Sequence, residues 1–445
     1  MARLSRDVRF DGQFFIGVKT TGIFCRPICP ARLPKEENVE YFASRMQAVQ
    51  QGYRPCLRCR PDSAPQSWAW KGVETTFIRA RNLLEDSLAE PLSIASLADR
   101  LGVSERYLRQ LFAKYLGVSP KQYQLYQQLL FAKQLLHDSD MSMTDIAFAA
   151  GFNSVRRFND AFKQHFRLPP TAVRKAQPAS LPEHSVRIAV RGHIDWPHQL
   201  NFYRLRAITG IEQVDDVSYS RSVEMEGEPV WFALQQHSEH AMLLRYRLNN
   251  PALLYRLLQQ VRRVFDLDTH IDGVEQHLRS VHPQLVHRSG IRIPGVWSPW
   301  EAGIRAILGQ QISLTAAVNL LNQWVQLVKP EQWVGFPTPE QAAQADISAL
   351  KMPQQRKQTL KLFAEYCCHA KPLQENEPLQ ENELLQINGI GPWTVNYIKM
   401  RGWLQPDCLL QGDLVVKKQL EKIAPINLDR ISPWGSYATL QLWSR

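Results

Sequence analysis

The spacing of apolar residues changes along the chain, and each change predicts a different kind of element. Residues 75–174 carry apolar side chains three and four apart, with serines placed to cap helix starts, which predicts a run of helices. After residue 184 the pattern alternates, and "SVRIAVRG" and "LLRYRL" predict half-buried strands. From about residue 297 the helical spacing returns and runs to the end. Two stretches rich in Pro, Ser and Ala, at 61–68 and 175–184, fall where the pattern changes and predict linkers. A direct repeat, "PLQENEPLQENE" (372–383), predicts an exposed turn or helix start and carries no chemistry.

Within the first helical stretch, "SIASLADRLGVSERYLRQLF" (93–112) predicts a helix, a break at Gly102, and a second helix capped by Ser104. "SMTDIAFAAGFNSVRRFNDAF" (142–162) repeats the scheme, with Gly151 lying 49 residues after Gly102. A short turn between two helices, the second one basic, is an arrangement that reads DNA. Tyr107, Leu108, Leu111, Phe158, Phe162 and Phe166 are predicted to face the core. Arg106, Arg109, Arg156 and Arg157 are then candidates for a DNA groove or backbone.

Composition narrows the partners. At 445 residues the chain has room for three or four domains, and 44% hydrophobic and 21% charged residues are ordinary for globular protein. No apolar run is long enough to cross a bilayer, and the start "MARLSRDVRF" lacks the apolar core of a secretory signal. A cytoplasmic, nucleoid-associated protein with no membrane partner is predicted, with its thiols reduced. The net charge of +11 is unevenly spread: residues 1–180 hold 26 Lys and Arg against 16 Asp and Glu, the remainder 27 against 26. A basic surplus in one part points to a polyanion such as nucleic acid.

Four of the seven cysteines fall in the first sixty residues. Cys25-x3-Cys29, 26 further residues, then Cys56-x2-Cys59 has the spacing of a four-thiolate tetrahedral zinc site. So short a segment buries little apolar area, and a metal would help to hold it folded. A zinc-bound thiolate also stays deprotonated and nucleophilic where it is exposed. Arg26, Arg32, Arg54, Arg58 and Arg60 crowd these cysteines and suit a phosphate backbone.

"FDGQFFIGVKTTGIFCRPICPAR" with "GYRPCLRCRP" resembles the N-terminal domain of the Ada family of alkylation-response proteins, over about residues 3–61. The resemblance implies that Cys25 accepts a methyl group from a methylphosphotriester in DNA, that Cys29, Cys56 and Cys59 complete the shell of one zinc ion, and that Thr21 and Arg32 lie near the phosphate. Loss of one negative charge on methylation would then favour DNA binding. The helical repeat, ending in "FRLPPTAVRK", resembles the AraC-type DNA-binding domain, without the small-ligand domain usual in such regulators.

"LLQINGIGPWTVNYI" (384–398) places apolar residues on both sides of a Gly389-Ile-Gly391 turn, a helix–hairpin–helix in which the glycines let backbone N–H groups approach a phosphate. Two acids follow, Asp407 and Asp413, and spacing alone does not choose between them. "RAILGQQIS", "INGIGPWTVNYIKMRGW" and "PWGSYATLQLW" together resemble the AlkA branch of helix–hairpin–helix DNA glycosylases, over about 185–445. That likeness implies Asp413 as the essential acid, Trp393, Tyr397, Trp443 and Phe202 as the base pocket, and excision of 3-methyladenine-type purines. Where related strand-cutting enzymes carry a lysine this chain has Trp393, which implies a monofunctional glycosylase. It departs from AlkA in two places: Gln311 stands where a leucine wedges into the vacated stack, and Leu414 where an aromatic flanks the acid.

The resulting expectation is a multidomain fold, mainly α with α+β parts. It comprises a zinc methyl-acceptor domain (1–65), a double helix-turn-helix domain (75–176), an α+β subdomain (184–285) and an all-α glycosylase core (286–445). No iron–sulfur cluster is expected, since no cysteine cluster follows the hairpin, and Cys367, Cys368 and Cys408 read as ordinary thiols. The partners expected are double-stranded DNA, at damaged sites and at a promoter, and RNA polymerase. The competing reading is a transcriptional regulator whose glycosylase-like half is catalytically weak.

Overall fold

The computed structural model describes residues 14–42, 45–59, 61, 73–89, 91–175, 181–329, 334–369, 381–423 and 425–445. Residues 62–68 of the first linker, 176–180 of the second, Arg60, and the repeat up to residue 380 lie outside the described residues. The chain forms two compact units, residues 1–128 and 129–445. Among the described residues no helix is long and apolar enough to cross a membrane.

The first unit begins with a small four-stranded sheet in the order β3-β1-β2-β4, made of β1 (Phe15–Val18), β2 (Ile23–Cys25), β3 (Val39–Phe42) and β4 (Arg54–Pro55), with helix α1 (Arg45–Gln50) before β4. Phe15, Phe24, Phe42 and Ala48 form its apolar core. Gly17 is needed in β1, since a Cβ there would come within 2.7 Å of the Phe42 ring and 2.9 Å of Tyr53. Among the described residues this core is thin, as expected for a segment this short.

Helices α2 (Val73–Asp86), α3 (Ile94–Leu101) and α4 (Glu105–Leu116) follow, and α5 (Pro120–Asp138) runs across the division into the second unit. There α6 (Met143–Ala149) and α7 (Val155–Phe166) repeat the pair. Capping is regular: Ser93, Ser104, Ser142 and Ser154 each accept a hydrogen bond from the backbone N–H three residues on. Each satisfies one of the donors that a helix start leaves free. The helix α4 buries Leu108, Leu111 and Phe112, and α7 buries Phe158 and Phe162, as the spacing predicts. Tyr107 packs partly buried against the first of these cores, and Phe166 lies 4.6 Å from Phe162 between ring centres.

After a further short helix α8 (Pro170–Lys175), a five-stranded antiparallel sheet has the order β5-β9-β8-β7-β6. Its strands are β5 (Ser185–Ala189), β6 (Glu212–Val214), β7 (Ser218–Met225), β8 (Glu228–Ser238) and β9 (Ala241–Arg247). The two strands legible in the sequence, β5 and β9, are neighbours, with Val186 opposite Leu244. Helix α9 (Trp196–Arg204) lies between β5 and β6, and α10 (Leu253–Val264) and α11 (Ile271–Val281) follow the sheet. The second helix pair is tied to this sheet: the Arg187 guanidinium donates to Asp138 at 2.8 and 3.0 Å, and Phe131 meets Tyr255 edge-on.

The remaining helices are α12 (Pro299–Leu308), α13 (Leu314–Val328), α14 (Pro339–Gln344), α15 (Gln354–His369), α16 (Glu381–Gln386), α17 (Pro392–Gly402), α18 (Leu414–Leu420) and α19 (Gly435–Trp443). Their cores cross residue 285: Ile208 and Ile211 pack with α12, α13 and α15, and Ile271, Val274 and Leu278 pack with α17 to α19. A buried ion network reinforces the join, with Arg221 of β7 donating to Glu301 of α12 at 2.5 Å and Arg305 of α12 to Glu212 of β6 at 2.7 Å. Cys367 and Cys408 are buried and Cys368 half-buried.

Candidate functional site

Three groups of candidate residues can be located. The first is the cysteine cluster. Strands β2 and β4 run parallel with Ile23 opposite Arg54 and Phe24 opposite Pro55, and the Cys56 N–H donates to Phe24 O at 3.0 Å. This register brings Cys25, at the end of β2, beside Cys56, just past β4. Turns then carry Cys29 and Cys59 back, so that the four Sγ atoms lie within 4.8 Å of one another. Cys25 is half-buried and the other three are buried. Hydrogen bonds from Cys25 and Cys59 draw the Cys29 thiol far below its ordinary range, and the Cys29 bond pushes Cys25 up. Thiols this crowded cannot all ionise without a cation between them, and four sulfurs with little room and no oxygen ligand suit zinc.

The basic residues around the cluster divide. Arg26 is not a surface charge: it is 5% exposed, its backbone N–H donates to Cys59 Sγ at 3.3 Å and its guanidinium to Cys59 O at 3.2 Å. It fixes one sulfur of the cluster in place, as outer-shell partners do in metal sites. Arg32, Arg54 and Arg58 are exposed, and so is Thr21, in the turn between β1 and β2.

The second group is the helix pair. Arg106 and Arg109 on α4, and Arg156 and Arg157 on α7, are all exposed on the side away from the buried residues. Arg109 pairs with Glu105, and Arg156 reaches Asp160 at 4.0 Å. Exposed pairs of this kind contribute at most about 1 kcal/mol and exchange readily for a phosphate.

The third group surrounds Asp413. Its Oδ1 caps α18, accepting from Val415 N at 2.9 Å and Val416 N at 3.1 Å. The same oxygen accepts from the Trp443 indole N–H at 3.2 Å, and Oδ2 accepts from the Trp393 indole N–H at 3.4 Å. The approach to this acid is pinned to α19, since Cys408 N donates to Ser436 Oγ and Leu410 N to Thr439 Oγ1. Asp407 is differently engaged: it accepts from Gly435 N at 3.1 Å and Ser432 Oγ at 2.6 Å, holding the start of α19. Of the two acids, then, Asp413 is the one framed by aromatic N–H groups.

Trp393 stacks on Tyr397 one turn along α17, with ring centres 5.3 Å apart. Phe202 packs into the same apolar cluster from α9, as does Trp443 from α19. Upstream of α17 the hairpin turns at Gly389, whose φ is +92° and where a Cβ would fall 2.1 Å from Thr359 Oγ1. At Gly391 a Cβ would meet nothing within 4 Å, so the backbone there is open to approach. Gln310 fastens the turn after α12 to this hairpin, donating to Gly389 O at 2.9 Å and Thr394 Oγ1 at 3.1 Å. Gln311, next along, is exposed. Leu414, beside the acid, is 74% exposed.

A relative named "Probable bifunctional transcriptional activator/DNA repair enzyme AlkA" from Mycobacterium tuberculosis is 31% identical over 471 residues, covering 99% of this chain and 94% of its own. The chain belongs to this family of bifunctional activator and repair proteins. Family models described as "Metal binding domain of Ada", "Helix-turn-helix domain" and "AlkA N-terminal domain" match residues 1–62, 97–176 and 185–298. The Escherichia coli protein "DNA-3-methyladenine glycosylase 2" is 30% identical over 56% of this chain and 93% of that one. "Bifunctional transcriptional activator/DNA repair enzyme Ada", also from Escherichia coli, is 40% identical over 27% of this chain and 33% of that one. This member of the AlkA family thus joins an Ada-like front to a glycosylase-like back.

Two residues that the sequence patterns do not mark also enter the third site. Arg206 lays its guanidinium 3.6 Å from the centre of the Phe202 ring, and Arg401 lies 5.0 Å from the same ring. Arg401 donates to Tyr397 Oη at 2.6 Å and to Pro294 O at 2.7 Å. Burial, and then the like charge of Arg401, lower Arg206 to about 10. Burial alone would raise Tyr397, but Arg401 and Arg206 pull it below the usual tyrosine value. The signal was present as spacing: Trp393, Tyr397 and Arg401 fall four apart on one helix face, and Arg206 is four beyond Phe202.

Proposed function

We propose that the chain accepts methyl groups from DNA phosphotriesters at Cys25, binds DNA through its helix pairs to activate transcription, and excises alkylated purines at Asp413. One zinc ion bound by Cys25, Cys29, Cys56 and Cys59 would keep the sulfurs deprotonated at neutral pH. The Cys25 sulfur attacks the methyl carbon of the triester: the S–C bond forms from the thiolate pair, the C–O bond breaks, and its electrons return to the phosphate as a diester anion. Greater exposure of Cys25 than of its three neighbours supports its choice as acceptor. The thioether product carries one negative charge fewer, so the first unit repels DNA less, and methylation acts as a switch toward promoter binding and contact with RNA polymerase. Thr21 and Arg32 would touch the phosphate, while Arg106, Arg109, Arg156 and Arg157 hold the duplex.

In the second site a damaged base leaves the stack and lies against Trp393, Tyr397, Trp443 and Phe202 while Gly389 and Gly391 meet the backbone. As the glycosidic bond breaks, positive charge grows on the sugar, and the Asp413 carboxylate beside it stabilises that charge and orients water. Trp393 leaves no lysine on this turn for a Schiff base, so the strand stays uncut. The observation that carries this reading is the Asp413 carboxylate held between the indoles of Trp393 and Trp443. The test uses DNA treated with a radiolabelled methylating agent and incubated with the full chain. Label on the protein together with labelled free purine supports both sites. Label on the protein alone would make the second half a scaffold, in favour of a pure regulator, and free purine alone would make the cysteine cluster structural.

A further inference from the structure

We propose that Ser289, His193 and Asp272 form a further reactive centre, a nucleophilic serine that cleaves small carboxylic esters, apart from the two reactions proposed above. Its residues come from three segments of the second unit. His193 follows β5, Asp272 and Glu275 lie three apart in α11, and Ser289 lies between α11 and α12. His193 Nε2 is 2.7 Å from Ser289 Oγ, and His193 Nδ1 is 3.1 Å from Asp272 Oδ1. Nucleophile, base and orienting carboxylate thus stand in the sequence of contacts that activates a serine hydroxyl, whatever fold carries them. Ser289 is exposed, so its oxygen can be reached by a substrate.

The frame around these groups is fixed. The Arg292 guanidinium donates to His193 O at 2.8 and 3.0 Å, and Asp195 N donates to Gly290 O at 3.0 Å, which ties the histidine segment to the serine segment. Gly290 has φ +81°, and a Cβ there would fall 2.6 Å from Asp195 N and 3.0 Å from His193 Cδ2, so the close approach requires glycine. The Ser289 hydroxyl has one proton and a second acceptor in reach, Glu275 Oε2 at 2.8 Å. Glu275 has other donors, Gly290 N at 2.7 Å and Arg279 at 2.9 Å. With Asp272 accepting from Nδ1–H, Nε2 is the bare nitrogen and takes the Ser289 proton. Arg279 is half exposed and reaches the same Glu275 oxygen as Ser289, which brings a guanidinium beside the reacting atom.

In the reaction the bond from Oγ to the acyl carbon forms as the hydroxyl proton passes to His193 Nε2. The Arg279 guanidinium stabilises the oxyanion, the ester C–O bond breaks, and His193 returns the proton to the leaving alkoxide. Water, losing a proton to His193, then releases the carboxylic acid and restores the serine.

The experiment treats the full chain with a fluorophosphonate, which bonds through phosphorus to an activated serine oxygen as fluoride leaves, and locates the adduct by peptide mass. The adduct is expected on Ser289, together with hydrolysis of p-nitrophenyl acetate that the same probe blocks. Ser289→Ala should abolish both, and His193→Gln should slow labelling about 10²-fold or more. Asp272→Asn should slow it by spoiling the imidazole tautomer, with Asp272→Glu recovering part of the rate. Unfolding midpoints close to wild type identify these as losses of reactivity and not of fold, and the site of the adduct on the wild-type chain decides without any variant. An unmodified Ser289, an adduct only elsewhere, or ester hydrolysis undiminished in Ser289→Ala overturns the proposal.

Discussion

The two candidate reaction centres meet related damage with opposite architectures. The cysteine cluster is built from residues at most 34 apart, on a small sheet whose core, among the described residues, is thin. The carboxylate site draws on α9, α17, the start of α18 and the end of α19, so residues from Phe202 to Trp443 must be brought together by two large apolar clusters. The difference follows from what each reaction demands. A single transfer needs one nucleophile exposed to a phosphate, and a few thiolates around a cation suffice to hold it. Repeated excision needs a dry, shaped pocket beside a fixed charge, which only an extended core can support.

Removing the metal should divide the regions most sharply. Stripping it with a strong chelator, or the Cys29→Ser change, should abolish methyl uptake and the cooperative unfolding of the first sixty residues, since zinc binding of this kind contributes about 10 kcal/mol or more to folding. Excision should survive, and loss of both activities together would break the comparison. Glu301 probes the other support. Burial would raise its carboxyl, but Arg221 and Arg305 hold it down at about 2. Its stabilisation is present above the ordinary carboxylate range and is lost as pH falls through about 2. Glu301→Gln should cost the second unit about 3–5 kcal/mol by leaving buried guanidiniums unpaired, read as a lower unfolding midpoint with methyl uptake intact.

Asp413→Asn should lower excision by about 10²–10³-fold, the usual consequence of losing a group aimed at transition-state charge, while methylation of Cys25 proceeds at its normal rate. Residual excision close to wild type would mean that another group, and not Asp413, is the essential acid. The smallest effect is expected at the helix pairs. Arg157→Ala should weaken binding to any duplex modestly and reduce the slope of log affinity against log salt by about one, the signature of one lost phosphate contact. A change confined to one sequence would instead make Arg157 a reader of bases.

Much of this was legible because it is local. Four serines cap four helices through bonds spanning three residues, and the cores of α4 and α7 follow from spacings of three and four, so both survive as sequence patterns. Four cysteines at metal-binding spacing are visible for the same reason. The strands β6, β7 and β8 were less visible, since their pairing depends on neighbours in the sheet more than on their own alternation.

Residue identity and short-range spacing thus determined the helix caps, the helical repeat, the thiolate ligand set and the glycine turn of the hairpin, each a matter of atoms a few bonds apart along the chain. Only the tertiary structure set Asp413 between two indole N–H groups and Asp407 at the start of α19, turned Arg26 from a surface charge into a buried donor to Cys59, and laid Arg206 across Phe202. These choices rest on which side chains meet across distant segments, and burial and hydrogen-bonding partners exist only once those segments are packed.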